Sequence, residues 1–183
     1  MISIVDTYEQ IEKLLSMGSF EINAWKRYLS GISAALFNRI VDDVKNYDYD
    51  RQIFPVMQNL YRKRDLADTA HRSFIKATES LEEKYKKAFH NKIDSTIFLY
   101  MGLCNGAGWA INLKGKPIIL VGIEKIVELN WIGEIQMAGL LYHELGHQWH
   151  FQNRRTKIKI GTPKEKALWQ LYSEGMAMYF EQE

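Results

Sequence analysis

The sequence predicts an α+β protein that is mainly α, with a helical N-terminal half followed by a small antiparallel sheet and two long helices. Apolar residues recur at helical spacing through residues 1–92. From Ser95 the pattern changes to short runs rich in β-formers, and helical spacing returns after Asn130. We therefore divide the chain into a helical region, residues 1–92, and a second region, residues 93–183, and expect the two to pack as one unit.

The composition is that of an ordinary globular protein. Of 183 residues, 46% are hydrophobic and 25% are charged, and the net charge of +2 gives no electrostatic case for binding nucleic acid. No apolar run approaches transmembrane length, so we expect no membrane insertion. Cys104 is the single cysteine, which excludes an intramolecular disulfide. The N-terminus lacks the features of a signal peptide, so we expect a cytoplasmic location. A single cysteine fits a reducing compartment but does not exclude secretion.

Five helices are expected in the first region. They are predicted at about residues 6–17, 20–29, 33–45, 51–62 and 66–89. The first begins with a capping-box pattern, Asp6-Thr7-Tyr8-Glu9. The last contains His71 and is followed by His90, and we interpret both histidines as surface or packing residues.

The second region opens with three short strands. They are predicted at about Ser95–Met101, Trp109–Leu113 and Ile118–Ile123, and their short connections favour an antiparallel meander. Gly106 and Gly108 lie between the first two strands. We interpret these glycines as a turn or bulge, and the alternative is a backbone that approaches a substrate.

Two helices complete the second region. The first is predicted from Ile132 to Phe151 and contains Gly139 and Gly146, whose small size would let another element pack closely. The second begins at Thr162-Pro163-Lys164-Glu165, with threonine as N-cap, proline at the first helical position and glutamate completing a capping box.

The sequence contains a His-Glu-x-x-His motif, His143-Glu144-Leu145-Gly146-His147. Two histidines four residues apart lie on one face of a helix and can converge on one metal ion. Glu144 is rotated away from this line of ligands, but it can hydrogen-bond a water held by the metal and accept its proton. The motif therefore predicts a zinc site with His143 and His147 as ligands and Glu144 as the general base.

Glu174, in the last helix, is the candidate for the third ligand. It lies among apolar and small residues, Leu171, Gly175, Met176 and Ala177, where a charge is costly unless it is paired or bound to a cation. The small neighbours would allow this helix to approach the face that carries the two histidines.

The segments His143–Trp149 and Ser173–Ala177 together resemble the gluzincin metallopeptidases, the thermolysin-like and membrane-alanyl-aminopeptidase-like zincins. The resemblance covers residues 95–183 and not the helical region. It implies one zinc ion (Zn²⁺) bound by two histidines and a downstream glutamate, and hydrolysis of peptide bonds. It also implies an edge strand that aligns the substrate, which would be Ile118–Ile123.

The sequence departs from that family's pattern at two places. Residues 104–108 contain no acidic side chain to anchor a free amine, so we favour an endopeptidase over an aminopeptidase. Met178 stands where the thermolysin branch has an aspartate that holds the first histidine, and Glu181 is the candidate replacement. Further candidates for a supporting role or for an oxyanion donor are Tyr172, Tyr179 and His150.

The function we expect is that of a zinc-dependent metallopeptidase, a hydrolase that acts on a peptide or protein substrate with Glu144 as general base. The alternative is a non-catalytic zinc-binding module with a regulatory or protein-interaction role. The presence of Glu144 favours the enzyme, since a purely structural zinc site needs no base. A third hypothesis is that the helical region, residues 1–92, binds a protein partner.

Overall fold

A four-stranded mixed sheet lies at the centre of the computed structural model, which describes residues 1–79, 81, 85, 87, 93–154 and 160–181. The strands are β1, Ile2–Asp6; β2, Ser95–Tyr100; β3, Gly108–Leu113; and β4, Lys116–Gly122. Their order is β1-β2-β4-β3; β1 and β4 both run parallel to β2, and β3 runs antiparallel to β4. Helices make up most of the remaining described chain, which confirms the mainly helical α+β class.

The structure corrects two expectations about this sheet. Residues 1–92 are not helical throughout, because Ile2–Asp6 adds β1 to the sheet beside β2. The sheet is mixed and not an antiparallel meander, because β4 lies between β2 and β3 and pairs with both. Four consecutive residues of β4, Ile118–Val121, are buried, as is typical of an internal strand covered on both faces. The edge strands are therefore β1 and β3, and the segment Ile118–Ile123 does not form an edge.

The helical region contains five α-helices among its described residues. They are α1, Tyr8–Leu15; α2, Ile22–Ile32; α3, Ala34–Asp43; α4, Phe54–Arg62; and α5, Arg64–Glu79, with a π-helical turn, Tyr49–Ile53, before α4. The predicted capping box at the first helix does not form, because α1 begins at Tyr8 with Thr7 and not Asp6 as its N-cap. Asp6 Oδ1 accepts the Tyr8 N–H (2.9 Å), and the Thr7 hydroxyl donates to the carbonyl of Leu99 (2.8 Å). His71 lies 2.6 Å from an Asp6 carboxylate oxygen and stacks on Tyr8, in line with a packing role. Much of the last predicted helix beyond α5, with His90, lies outside the described residues.

The described residues of the second region form three helices: α6, Ile123–Glu128; α7, Glu134–Asn153; and α8, Pro163–Glu181. The capping box predicted at the start of α8 is confirmed. Thr162 Oγ1 accepts the Glu165 N–H at 3.2 Å, and Glu165 Oε2 accepts the Thr162 N–H at 2.9 Å. The α8 helix packs along α7, and this contact brings the two parts of the candidate metal site together.

One hydrophobic core joins the two predicted regions. It includes Trp25 of α2, Phe74 of α5, Ile119 of β4 and Leu145 of α7, each at most 1% exposed. The Trp25 indole N–H also donates to the carbonyl of Met101, just after β2 (2.9 Å). Among the helices that the structure describes, none is long and apolar enough to cross a membrane.

Candidate metal centre

The Nε2 atoms of His143 and His147 converge on the carboxylate of Glu174. The distances are 3.3 Å from His143 Nε2 to Glu174 Oε2 and 3.6 Å from His147 Nε2 to Glu174 Oε1. Two atoms that each lie about 2.0–2.1 Å from a tetrahedral zinc ion are separated by about 3.4 Å. Ligand atoms of all three residues lie within 4.8 Å of one another, so this cluster could hold a metal ion.

The second nitrogen of each imidazole has its own polar neighbour. His143 Nδ1 lies 3.4 Å from Glu181 Oε2, and His147 Nδ1 lies 3.2 Å from Ser173 Oγ. A metal-binding histidine commonly uses its other ring nitrogen to donate to a carboxylate or another acceptor, which fixes the tautomer and the ring orientation. Burial lowers the pKa of His147, which favours the neutral imidazole that binds metal.

Glu144 lies beside the cluster but faces β3. Its side chain is buried, and the Ala110 N–H of β3 donates to its carboxylate. Burial raises the pKa of Glu144 to about 8; the charge of Glu174 also raises it, and the hydrogen bond from Ala110 opposes the rise. A carboxylate held in this way has a proton affinity suited to general-base work near neutral pH.

The cluster of His143, His147 and Glu174 opens into a cleft of about 1140 Å³. One wall is the start of β3, and the opposite wall is formed by α7 and α8. Large apolar side chains line the cleft and remain partly exposed, among them Trp131 (41%), Ile135 (86%) and Phe151 (39%). Exposed apolar groups in a concave site are typical of a surface that binds an apolar ligand.

Two close contacts set the position of the motif helix. An ideal Cβ built on Gly146 would lie 3.0 Å from the Cα of Ala177, so the glycine permits the close approach of α8. On the opposite side of α7, Gln148 Nε2 donates to the carbonyls of Ile111 (3.0 Å) and Ile118 (2.9 Å) and so ties the helix to β3 and β4. Gln148 therefore holds α7 against the sheet, while Gly146 lets α7 pack closely on α8, the helix that carries Glu174.

The candidate residues predicted for supporting roles divide into two groups. Glu181 reaches His143, as given above, and lines the cleft. His150 is buried against Trp169 and Tyr172, and the structure does not place it in the lining of the cleft. Tyr172 (52% exposed) and Tyr179 (62% exposed) also lie outside that lining. The oxyanion donor stays unassigned.

Sequence reasoning missed three neighbours of the site. Ser173 was visible only as part of a segment, although its place before Glu174 puts it on the helix that faces His147. Ala110 contacts Glu144 through its main-chain N–H, so the identity of its side chain does not reveal the contact in the sequence. Gly108 lies against Glu144, so that a Cβ there would be 2.5 Å from Glu144 Oε1. Gly108 is the first residue of β3 and not part of a turn, and the alternative interpretation, a backbone that approaches a substrate, stays a prediction.

Searches against family models, curated proteins and solved structures found nothing that matches this chain. The identification of the candidate ligands therefore depends on the geometry of His143, His147 and Glu174.

Proposed function

We propose that this protein is a zinc-dependent metallopeptidase in which His143, His147 and Glu174 bind one zinc ion and Glu144 is the general base. The observation that supports it best is a buried carboxylate beside a three-residue cluster that opens into a cleft. A metal site for storage or folding has no need of such a carboxylate, whereas metal-assisted hydrolysis requires a group that accepts the proton of the attacking water.

The donor set favours zinc in a catalytic arrangement. Two imidazoles and one carboxylate are a set that catalytic zinc sites use, with the fourth position left for water or substrate. Structural zinc sites are usually closed by four protein ligands. Among the residues that the structure describes, only His143, His147 and Glu174 form a cluster of this kind.

The residues of the chain have distinct parts in the reaction. Zinc bound here would supply a water molecule with its pKa lowered to about 7. Glu144 accepts the proton of the attacking water and then transfers it to the nitrogen of the leaving amine. The Ala110 N–H keeps the Glu144 carboxylate at the edge of β3. Glu181 and Ser173 hold the two imidazoles with their Nε2 atoms directed at the zinc position.

The outer edge of β3, on the side away from β4, favours a peptide as the substrate. Ala107 accepts the Gly122 N–H (2.9 Å), and such hydrogen-bonded pairs alternate along an antiparallel ladder. Gly108 and Ala110 therefore direct their main-chain groups away from β4. The Ala110 N–H donates to Glu144, and the other main-chain groups on this edge can pair with an extended peptide by hydrogen bonds. A peptide bound in this way crosses the cleft in front of Glu144, which suits an endopeptidase.

The test compares the zinc-loaded native protein with Glu144→Gln. We expect equal zinc content and a loss of peptide hydrolysis of at least about 100-fold, because the amide cannot accept the proton. Zinc content is measured by atomic absorption, and hydrolysis is measured with a diverse peptide library. Glu128→Gln makes the same chemical change at an exposed position and should cut like the native protein. If the zinc-loaded native protein cuts no peptide, the enzyme proposal is wrong and the non-catalytic zinc-binding module is favoured.

A further inference from the structure

Glu124, the second residue of α6, is a buried carboxylate that the proposed reaction does not use. Its side chain is 1% exposed. Glu124 Oε2 accepts the Gly102 N–H at 2.9 Å, and Oε1 accepts the Cys104 N–H at 3.1 Å. Burial raises the pKa of Glu124 to about 7, while the hydrogen bonds from Gly102, from its own N–H and from Cys104 lower it. Because a buried carboxylate is costly, its two loop contacts are the evident compensation.

The loop between β2 and β3 fits closely around this carboxylate. A Cβ on Gly102 would lie 2.6 Å from Glu124 Oε1, and a Cβ on Gly122 would overlap the carbonyl oxygen of Gly106. Cys104 has a φ of 67°, which a non-glycine residue adopts at some cost in energy. These contacts leave the loop backbone little freedom while Glu124 accepts its amides.

The same loop continues into β3, the strand that contacts Glu144. Ala107 follows it, is paired to Gly122 by a hydrogen bond, and lines the cleft with Gly108. The space where a Cβ of Gly108 would lie is filled by the Glu144 carboxylate, and the next contact along the strand is the Ala110 N–H that donates to it. A shift of the loop would therefore move the backbone against which Glu144 rests.

We propose that Glu124 is a positioning residue, which holds the Gly102 and Cys104 amides and thereby fixes the start of β3 against the Glu144 carboxylate. This inference rests on the proposed function and adds a residue that none of the metal ligands contacts. Glu124 should therefore affect two properties of the site differently. Zinc binding depends on residues of α7 and α8, whereas the position of the β3 backbone against Glu144 depends on the loop between β2 and β3. A misplacement of about 1 Å in a catalytic group can cost about 100-fold in rate.

The first experiment compares the full-length, zinc-loaded native protein with Glu124→Gln and with the exposed Glu128→Gln control on the same helix. Gln at position 124 can accept from one loop amide, but its NH₂ group faces the other. We expect zinc affinity to stay within about three-fold of the native value while kcat falls at least about ten-fold, and KM to rise because the start of β3 also forms the edge to which the peptide adds. Glu124→Asp should show an intermediate kcat, since a shorter carboxylate reaches one amide. An unchanged kcat, or an equal loss of zinc affinity and kcat, would overturn the proposal.

The second experiment needs no activity. Hydrogen exchange is measured in the zinc-loaded proteins for the Gly122 amide, which donates to Ala107, and the Ala110 amide, which donates to Glu144; Glu124→Asp replaces Glu124→Gln if the latter does not fold. We expect exchange at both amides to be at least about ten-fold faster than in Glu128→Gln. Equal exchange rates would contradict the inference even if the native protein is an active peptidase. If the native protein proves inactive, the proposed function fails, and faster exchange would still establish that Glu124 holds the start of β3.

Discussion

The two nitrogens of each histidine ring in the metal cluster lie in different surroundings. For His143 and His147, Nε2 faces Glu174, and Nδ1 faces Glu181 or Ser173. The Glu181 carboxylate can only accept a hydrogen bond when ionised, so it favours the His143 tautomer with the proton on Nδ1 and the lone pair on Nε2. Glu174 and Glu181 therefore act on the same ring from opposite sides, although both are glutamates on one helix.

These two glutamates should differ in their effect on zinc affinity. We expect Glu174→Ala to weaken zinc binding more than Glu181→Ala, because the first removes a ligand and the second removes only an acceptor for His143. The loss for Glu181→Ala should be about 10- to 100-fold. Affinities are measured by competition with a chromophoric chelator, and the exposed Glu128→Ala serves as the control. Unchanged affinity in Glu174→Ala would remove Glu174 from the ligand set, and an equal loss in both variants would contradict their separate roles.

At the scale of single residues, the sequence predicted what depends on local spacing. His143, Glu144 and His147 belong to one helix, so the period of the helix places them without knowledge of the fold. Glu174 and Glu181 were found because a charge is costly beside apolar residues and because they share a helix face. The Ala110 N–H that holds Glu144 could not be found in this way, because a backbone contact between a strand and a helix depends on strand order.

The contact between α7 and α8 depends on where glycine occurs along α7. A Cβ on Gly146 would lie 3.0 Å from the Cα of Ala177 and 3.1 Å from Phe180, whereas a Cβ on Gly139 would meet only the flexible Glu181 side chain at 3.6 Å. The backbone of α8 cannot move away from Gly146 without carrying Glu174 with it. The expectation that both glycines serve close packing therefore holds more strictly for Gly146.

Alanine substitutions at the two positions should have opposite effects on stability. Gly146→Ala should lower the free energy of unfolding by about 1–3 kcal/mol, because overpacking separates the helices, and it should also weaken zinc binding. Gly139→Ala should raise the free energy of unfolding by up to about 1 kcal/mol, because alanine favours the helix and has room. Both are measured by urea denaturation of the metal-free proteins. A stabilised Gly146→Ala variant with native zinc affinity would contradict this account of the interface.

Among the elements, α8 was predicted from a clear boundary signal, whereas β1 was missed. The capping box of Thr162 and Glu165 marks the start of α8 in both sequence and structure. Strand β1 was missed because Ile2–Asp6 is short and becomes a strand only by pairing with β2, more than 90 residues away in sequence. The uninterrupted apolar run of β4, Ile118–Val121, did carry a signal for an internal strand, since an edge strand with one exposed face should alternate.

Two buried carboxylates, those of Glu124 and Glu144, contact the same stretch of backbone beside the hydrophobic core. Glu124 and Glu144 are at most 6% exposed and lie on different helices, yet both contact the backbone that begins at Gly102 and continues into β3. Burial raises the pKa of each, to about 7 and about 8. In the metal-free protein these carboxylates therefore oppose folding when they ionise, and their effect on stability should depend on pH.

We expect the contribution of Glu124 to the free energy of unfolding of the metal-free protein to fall as the pH rises from about 4.5 to about 7. Glu124 has a pKa of about 7 when folded and an ordinary value of 4.5, so the folded state binds more protons than the unfolded chain in this window. Stability then decreases with pH by at most about 1.4 kcal/mol per pH unit for this group, and Glu124 adds no further change above both pKa values. Glu144 acts in the same direction.

Substitution of Glu124 isolates its share of this pH dependence. Urea denaturation in the presence of a chelator at several pH values between 4.5 and 7.5 gives the slope of unfolding free energy against pH. The slope for Glu124→Gln should be less negative than that of the native protein, because glutamine does not titrate, whereas Glu128→Gln should keep a nearly native slope. The slope is the relevant quantity, since it reports the difference in protons bound by the folded and unfolded states and not the total stability lost with a hydrogen bond. Equal slopes in all three proteins would show that Glu124 titrates alike in the folded and unfolded states, and that its burial does not oppose ionisation.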